Sequence, residues 1–378
     1  MQQMKEDKNS DLLTNTFSIT IVGSGVSTGI PVIGHFSGKC ACAAALNDMN
    51  GPNRRNNVSL LITVPSREAS DKAVKHVLID CGKTFRDAYF RVLAKHKVQY
   101  LDALLITHDH ADAIAGLDDL RDLQFMTVDE NDDWLVKQYI STYTSMRTVD
   151  VLRKQVGYIY RNSRMVGSAP ASKEAHETLM QHFNEEYKLN GLSNNIGKCR
   201  STALDFFTLP DTTPTPFYVP ALGSEFPMYA VPVEHGAGYM SLGFVFGPGV
   251  AFHSTGATTF NVKDKSCVVY LSDVSFIPAA AMAFLQDLVK IDVLIVDLLY
   301  GSGQRHPTHY CMDDVMRLVE SLQPIRTYGI GMYCNIEHTK GNEELHERLE
   351  ELRRNGKCSD RVISVMLGFD NLEIPLPL

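Results

Sequence analysis

The chain reads as an α/β protein in which two packed β-sheets carry helices on their outer faces. Three observations lead there. Short β-rich runs closed by Gly, Pro or polar turns fall into two groups along the sequence, amphipathic stretches at helical spacing follow each group, and a polar segment at 161–203 separates them. With 378 residues, 44% of them hydrophobic, the chain can bury the large core that such layers need.

The first group comprises "FSITIVGSG" (17–25), "VSLLITV" (58–64) and "KHVLIDCG" (75–82). "KTFRDAYFRVLAKHK" (83–97) has apolar residues at helical spacing and leads into the buried strand "LDALLIT". Residues 161–203 read as an insertion, with a helix expected from about Lys173 to Tyr187 between Gly/Ser/Asn-rich ends. A second half-sheet is expected from "ALDFFTL", "PFYVPAL", "FPMYAVPVEH", "MSLGFVFG", "CVVYLSD" and "IDVLIVDLLY". Helices follow near 278–289, 310–322 and 340–354, with a closing pair of strands at "RVISVML" and "NLEIPLP". No internal repeat interrupts this pattern, so residues 1–378 are expected to form one domain carrying the insertion.

The bulk chemistry narrows the function classes. A formal charge of -8 with no dense Lys/Arg run disfavours nucleic acid and points to a small substrate. The polar N-terminus lacks an apolar segment of signal-peptide length, and no run approaches a membrane span, so a cytoplasmic protein without membrane attachment is expected. The eight cysteines are scattered, which favours reduced thiols or metal ligands over a disulfide framework.

The stretch "LLITHDHADAIAGLDDLR" (104–121) carries the chemistry. His108, His110 and Asp112 alternate after an apolar strand, and alternate residues share a face if strand geometry persists past Thr107. Two imidazoles and a carboxylate at a strand end suit a Zn-type cation with positions left open for water. Three later strand ends offer further ligand types: His235 in "YAVPVEHG", Asp273 in "VVYLSD", and His306 with His309 in "RHPTH". Each alone is an ordinary turn or capping residue.

Taken in order, "IDCG", "THDHAD", "VPVEHG", "YLSD" and "HPTH" resemble the metallo-β-lactamase-fold hydrolases, and "GLDDLR", "VGSGVSTGIPV", "SLGFVFG" and "SDVSFIP" resemble the branch with the phosphodiesterase of the bacterial carbon-phosphorus lyase pathway. The resemblance implies a metallo-β-lactamase-like αββα sandwich of two mixed sheets. It also implies a first metal on His108, His110, His235 and Asp273, with Asp80 orienting the site from behind. The second metal of such enzymes takes the motif Asp, the next His, the bridging Asp and a C-terminal His. The matching positions here are Asp112, Ala113, Asp273 and Gly331, so two ligands are missing together. His338, seven residues beyond Gly331, is a substitute if the intervening loop folds back, or else a histidine outside the metal shell.

By the same resemblance His309 matches a residue near the leaving group and is the candidate general acid, with His306 a second candidate and Asp112 acting on the attacking water if only one metal binds. Cys40, Cys42 and Cys334 occupy places of a structural zinc site whose third cysteine is Ala45 here. His35 or water would complete the tetrahedron, and buried reduced thiols are the alternative.

The expected function is a Zn2+- or Mn2+-dependent phosphodiesterase using one or two ions on a small phosphate ester, cyclic esters included, with a homodimer compatible. The insertion would form part of the pocket rim. The alternatives are an endonuclease of the transfer-RNA 3′-processing type and a non-catalytic metal-binding protein with a degenerate second site.

Overall fold

The computed structural model describes residues 16–35, 38, 40–66 and 74–378. The polar N-terminal stretch up to residue 15 lies outside the described residues.

The strands are β1 (Thr16–Gly23), β2 (Ser59–Pro65), β3 (Val74–Ile79), β4 (Ala103–Leu105), β5 (Met126–Val128), β6 (Trp134–Val136), β7 (Ile140–Ser145), β8 (Arg164–Ser168) and β9 (Leu204–Leu209). They continue as β10 (Thr215–Phe217), β11 (Met228–Glu234), β12 (Met240–Phe246), β13 (Val268–Leu271), β14 (Val293–Asp297), β15 (Arg326–Ile330), β16 (Ser364–Leu367) and β17 (Leu372–Pro377). One sheet of eight strands runs β17-β1-β2-β3-β4-β7-β9-β8, and a second of seven runs β10 to β16 in chain order. Both are mixed: β3-β4-β7-β9 and β13-β14-β15-β16 pair in parallel, while the rest of each sheet is largely antiparallel.

The two sheets face each other across one apolar cluster. Ile19, Leu60, Ile62, Val77 and Leu105 from the first meet Ala230, Phe244, Tyr270, Ile295 and Ile330 from the second. Residues at odd steps on the same strands point outward and are covered by helices, as the pleat requires. Val231, Val245, Val269 and Leu294 pack with residues of the helices Ala279–Gln286, Met312–Leu322 and His338–Arg354, giving the αββα order.

Three details depart from the sequence reading. "ALDFFTL" forms β9 and pairs with β7 in the first sheet, not the second. The two closing strands do not pair with each other: β16 adds parallel to β15, and β17 returns to β1. The stretch 83–97 begins as the short helix Phe85–Ala88 and continues as a π-helical turn over Tyr89–Leu93. Within 161–203 the expected helix spans Lys173–Leu189, and β8 precedes it as an edge strand on β9. None of the helices among the described residues is long and apolar enough to cross a membrane.

Candidate metal centre

The parallel strands of both sheets deliver their C-terminal ends to one place, where the chain leaves regular structure and side chains can converge. Asp80 follows β3, His108 to Asp112 follow β4, His235 follows β11, Asp273 follows β13, and Asp297 closes β14. The strand geometry assumed for the H-x-H turn ends at Leu105, yet the His108 and His110 rings still meet at 4.7 Å, with His235 5.2 and 5.1 Å from them. Ligand-bearing atoms of His108, His110 and His235 lie within 4.8 Å of one another, as do those of His235, Asp273 and His309. Asp112 sits alongside, its Oδ1 3.8 Å from His108 Nε2.

Each buried imidazole is tied down at Nδ1. His235 Nδ1 donates to the Thr308 carbonyl at 2.7 Å, which can only accept, so its Nε2 is left with a bare lone pair. His108 Nδ1 lies 2.8 Å from Thr107 Oγ1, whose hydroxyl donates to Asp80 Oδ2 at 2.8 Å, while the Thr107 amide donates to Asp80 Oδ1. His108 Nε2 is then buried without a hydrogen-bond partner among the described residues. An orphaned, inward-facing imidazole nitrogen costs free energy unless something coordinates it.

The electrostatics have the same sense. Burial, reinforced by His235, His110 and His309, holds His108 well below its ordinary value, and burial with His309 pushes His235 down to about 4. Both imidazoles are therefore held in the neutral form, the form that can bind a metal. Burial pushes the Asp80 carboxyl up to about 8, against its two Thr107 bonds, and Asp112 adds to the rise. Burial and the neighbouring Asp112 and Asp297 raise Asp273 strongly. A cation among these carboxylates would reverse that push, so the donor set of neutral imidazoles and crowded carboxylates fits a divalent ion.

His309 differs from its neighbours. Its Nδ1 lies 2.7 Å from Asp297 Oδ2, and although burial lowers its pKa, Asp297, Asp273 and Asp112 together bring it up to about 9. Asp297 was not singled out in the sequence. The signal was present as an acid ending the apolar run "IDVLIVD", the same signature that marked Asp273. His306 lies beside His309, with ring centroids 5.2 Å apart, and its Nδ1 accepts the Thr308 amide at 3.4 Å. Burial and His309 lower its pKa, making it the poorer proton donor.

Two places expected for second-metal ligands are closed by the fold. Ala113 is buried in an apolar cluster with Cys81 and Leu117. Gly331 has φ +78, and a Cβ there would lie 2.7 Å from Asp297 Oδ1. His338 is in neither group of ligand-type residues gathered around His235. The chain after Gly331 is drawn to the N-terminal segment through Met332 N to Ser24 O and Ala41 N to Cys334 O. His338 instead opens the helix His338–Arg354, its amide donating to Asn53 Oδ1 and its ring edge-on to Phe369 at 5.6 Å.

A separate tetrad lies near the start of the chain. His35 Nδ1 is 3.4 Å from Cys334 Sγ, 3.8 Å from Cys42 Sγ and 3.9 Å from Cys40 Sγ, and all four ligand atoms fall within 4.8 Å of one another. The set is suited to a tetrahedral ion, with His35 in the fourth place. The guanidinium of Arg55, 1% exposed, donates to the Tyr333 and Ile336 carbonyls and holds the loop bearing Cys334.

The comparisons with known proteins bear on this architecture. Residues 75–185 match the model of the beta-lactamase superfamily domain. An octanoyltransferase of Porphyromonas gingivalis is 30% identical over 149 residues, 39% of this chain, and the match spans about a quarter (24%) of that relative. Among solved structures, a diphosphatase from the PhnP family superposes with a TM-score of 0.58 at 22% identity, covering 96% of this chain and 99% of that one. Zn2+-bound PqqB from Methylobacterium extorquens gives 0.53 at 11% identity, covering 94% and 99%. Unliganded yeast PDE1 gives 0.52 at 12%, covering 96% and 100%. At these identities the structural likeness is one of fold. The strand order and the structural likeness together give this chain the metallo-β-lactamase fold, with residues 75–185 similar to the beta-lactamase superfamily domain and the ligand-type residues His108, His110, His235 and Asp273 at its strand ends.

Proposed function

We propose that the chain is a metal-dependent hydrolase acting as a phosphodiesterase on a small phosphate ester, working in the cytoplasm on a diffusible substrate. The observation that carries the reading is the division among neighbouring imidazoles: His108 and His235 are held neutral, while His309, its ring 4.7 Å from His235, is held as a proton carrier by Asp297. Groups whose environments push their pKa values apart mark ligand and acid roles within one site.

His108, His110, His235 and Asp273 would hold one ion, Zn2+ or Mn2+. Bound there, a divalent cation supplies Lewis acidity and a water of lowered pKa. Asp112, beside His108 on the opening turn of the helix Ala111–Ile114, would orient the attacking water and accept its proton. His309 carries a proton toward the departing alkoxide, and Asp297 keeps the ring in one orientation while it does so. The single-ion reading rests on Ala113 and Gly331 standing at two expected ligand places and on His338 joining neither group around His235. The tetrad of His35, Cys40, Cys42 and Cys334 would hold a structural Zn2+, and the unpaired state of all eight cysteines suits a reducing compartment.

The phosphodiester assignment draws support from the fold shared with proteins described as a PhnP-family diphosphatase and as yeast PDE1. A test sets bis(p-nitrophenyl) phosphate and cyclic nucleotides against carboxyl esters, thioesters and β-lactams, with His108→Ala as control. Turnover of the phosphodiesters, lost in the variant, is expected. Turnover of the other classes alone would replace the substrate reading, and no turnover with any of them, metal supplied, would remove the catalytic one.

A further inference from the structure

Four imidazoles meet at the centre, and three have a hydrogen bond at Nδ1: His108 with Thr107, His235 with the Thr308 carbonyl and His309 with Asp297. Such partners set the ring plane and tautomer of a metal ligand, and losing one costs metal affinity. His110 is the exception. It is exposed, and among the described residues no group hydrogen-bonds its ring.

What its ring meets instead is Tyr239. The two are stacked, with centroids 4.8 Å apart and planes inclined by 21°. Tyr239 is itself fixed at both its hydroxyl and its face. Its hydroxyl donates to Asp109 Oδ1 at 2.6 Å, and Arg147 lies with its guanidinium carbon 4.0 Å from the ring centroid. Arg147 Nε donates in turn to the other Asp109 oxygen at 3.0 Å. The three side chains therefore form a closed triangle in which each touches the other two. Asp109 stands between His108 and His110 in the chain, so the triangle is anchored on the ligand turn itself. The Tyr239 carbonyl also accepts the His235 amide at 2.8 Å, which fixes the phenol's backbone to a second ligand.

We propose that Tyr239, tethered by Asp109 and Arg147, is the positioning residue for His110, its stacked ring taking the place of the hydrogen bond that the other histidines receive. The proposal rests on the reading of His108, His110, His235 and Asp273 as an ion site. A planar partner removes the freedom of an exposed ring to rotate about χ2, so less order has to be imposed when the ion binds. The tether adds what stacking lacks. Aromatic faces slide easily over one another, whereas a phenol bonded to a carboxylate and covered by a guanidinium has one position.

The experiment measures Zn2+ affinity by chelator competition, assigning the relevant ion as the one that His108→Ala abolishes. Tyr239→Leu should weaken that ion tenfold to a hundredfold, the range for loss of an orienting partner. Tyr239→Phe keeps the stack without the tether and should fall between Leu and wild type. Asp109→Asn and Arg147→Gln, which leave the phenol in place, should each weaken binding severalfold, and they decide the matter if Tyr239→Leu does not fold. Denaturant midpoints of the metal-free variants close to that of metal-free wild type would separate positioning from general packing. Unchanged Zn2+ affinity in the folded variants overturns the proposal. If His108→Ala itself leaves Zn2+ binding intact, the ion site has been misread, a failure distinct from that of the clamp.

Discussion

Gly331 stands where a second-metal histidine would be expected, and replacing it should damage a site in which it has no side chain. At φ +78 an alanine pays about 1–2 kcal/mol for left-handed backbone. Its Cβ would also lie 2.7 Å from Asp297 Oδ1, closer than such atoms approach, so the carboxylate or the backbone must move. Asp297 Oδ2 bonds His309 Nδ1 at 2.7 Å and accepts the Val274 amide at 3.2 Å. Disturbing a bond of this charge-assisted kind costs about 1.5–3 kcal/mol. Gly331→Ala should therefore lose roughly 2–5 kcal/mol of folding stability, the upper figure if Asp297 yields fully. Turnover should fall about tenfold or more as the acid loses its orientation. Gly331→His, alone or with Ala113→His, should behave no better and gain no second ion, because the space belongs to Asp297. Urea midpoints, steady-state kinetics and metal content together test this. A Gly331→Ala protein with wild-type stability and turnover, or a double variant that binds one more catalytic ion, would refute the reasoning.

Other expectations follow from the same geometry. His309→Ala should keep its metal but slow turnover roughly a hundredfold, with p-nitrophenolate leaving groups partly rescued; equal slowing for good and poor leaving groups would count against proton donation. His108→Ala or Asp273→Ala should lose both metal and activity while keeping the fold, as circular dichroism and metal analysis would show, and full metal content in both would contradict the ligand assignment. Cys334→Ser should release one Zn2+ per chain and lower the melting temperature without altering the ion bound at His108; unchanged metal stoichiometry would show that the tetrad holds no ion. Burial and Arg55 push His338 down to about 4, so the unfolded chain takes up a proton near pH 6.5 that the folded chain refuses until about pH 4. Stability should thus fall as pH drops through that window, by on the order of 1–2 kcal/mol after allowance for partial exposure, and His338→Gln should flatten that component. Parallel pH profiles for the two proteins would disprove the link.

The sequence alone determined the elements and most of the chemistry at their ends. Alternation and apolar runs mark strands because the pleat sorts side chains by face. A polar ligand type just past such a run marks a place where a side chain can leave the core without burying an unpaired charge. His108, His110, Asp112, His235, Asp273 and His309 stood out at such places, their order along the chain and the resemblance it carries gave them roles, and Asp297 carried the same mark unread. Tertiary structure decided what no local pattern encodes. Sheet membership of β9 and β17 depends on which edges are open once the other strands have paired, so neighbours in sequence parted. His35 reached Cys334 across 299 positions, while His338, nearer in sequence to Gly331, was carried off by the bonds of its loop to the N-terminal segment. The Tyr239 ring met His110 only because the turn after β11 lies against the turn after β4. The absence of a second histidine became intelligible in the same way, since the backbone angle of Gly331 and the presence of Asp297 beside it are properties of the packed chain, fixed by sterics that single-residue identity does not reveal.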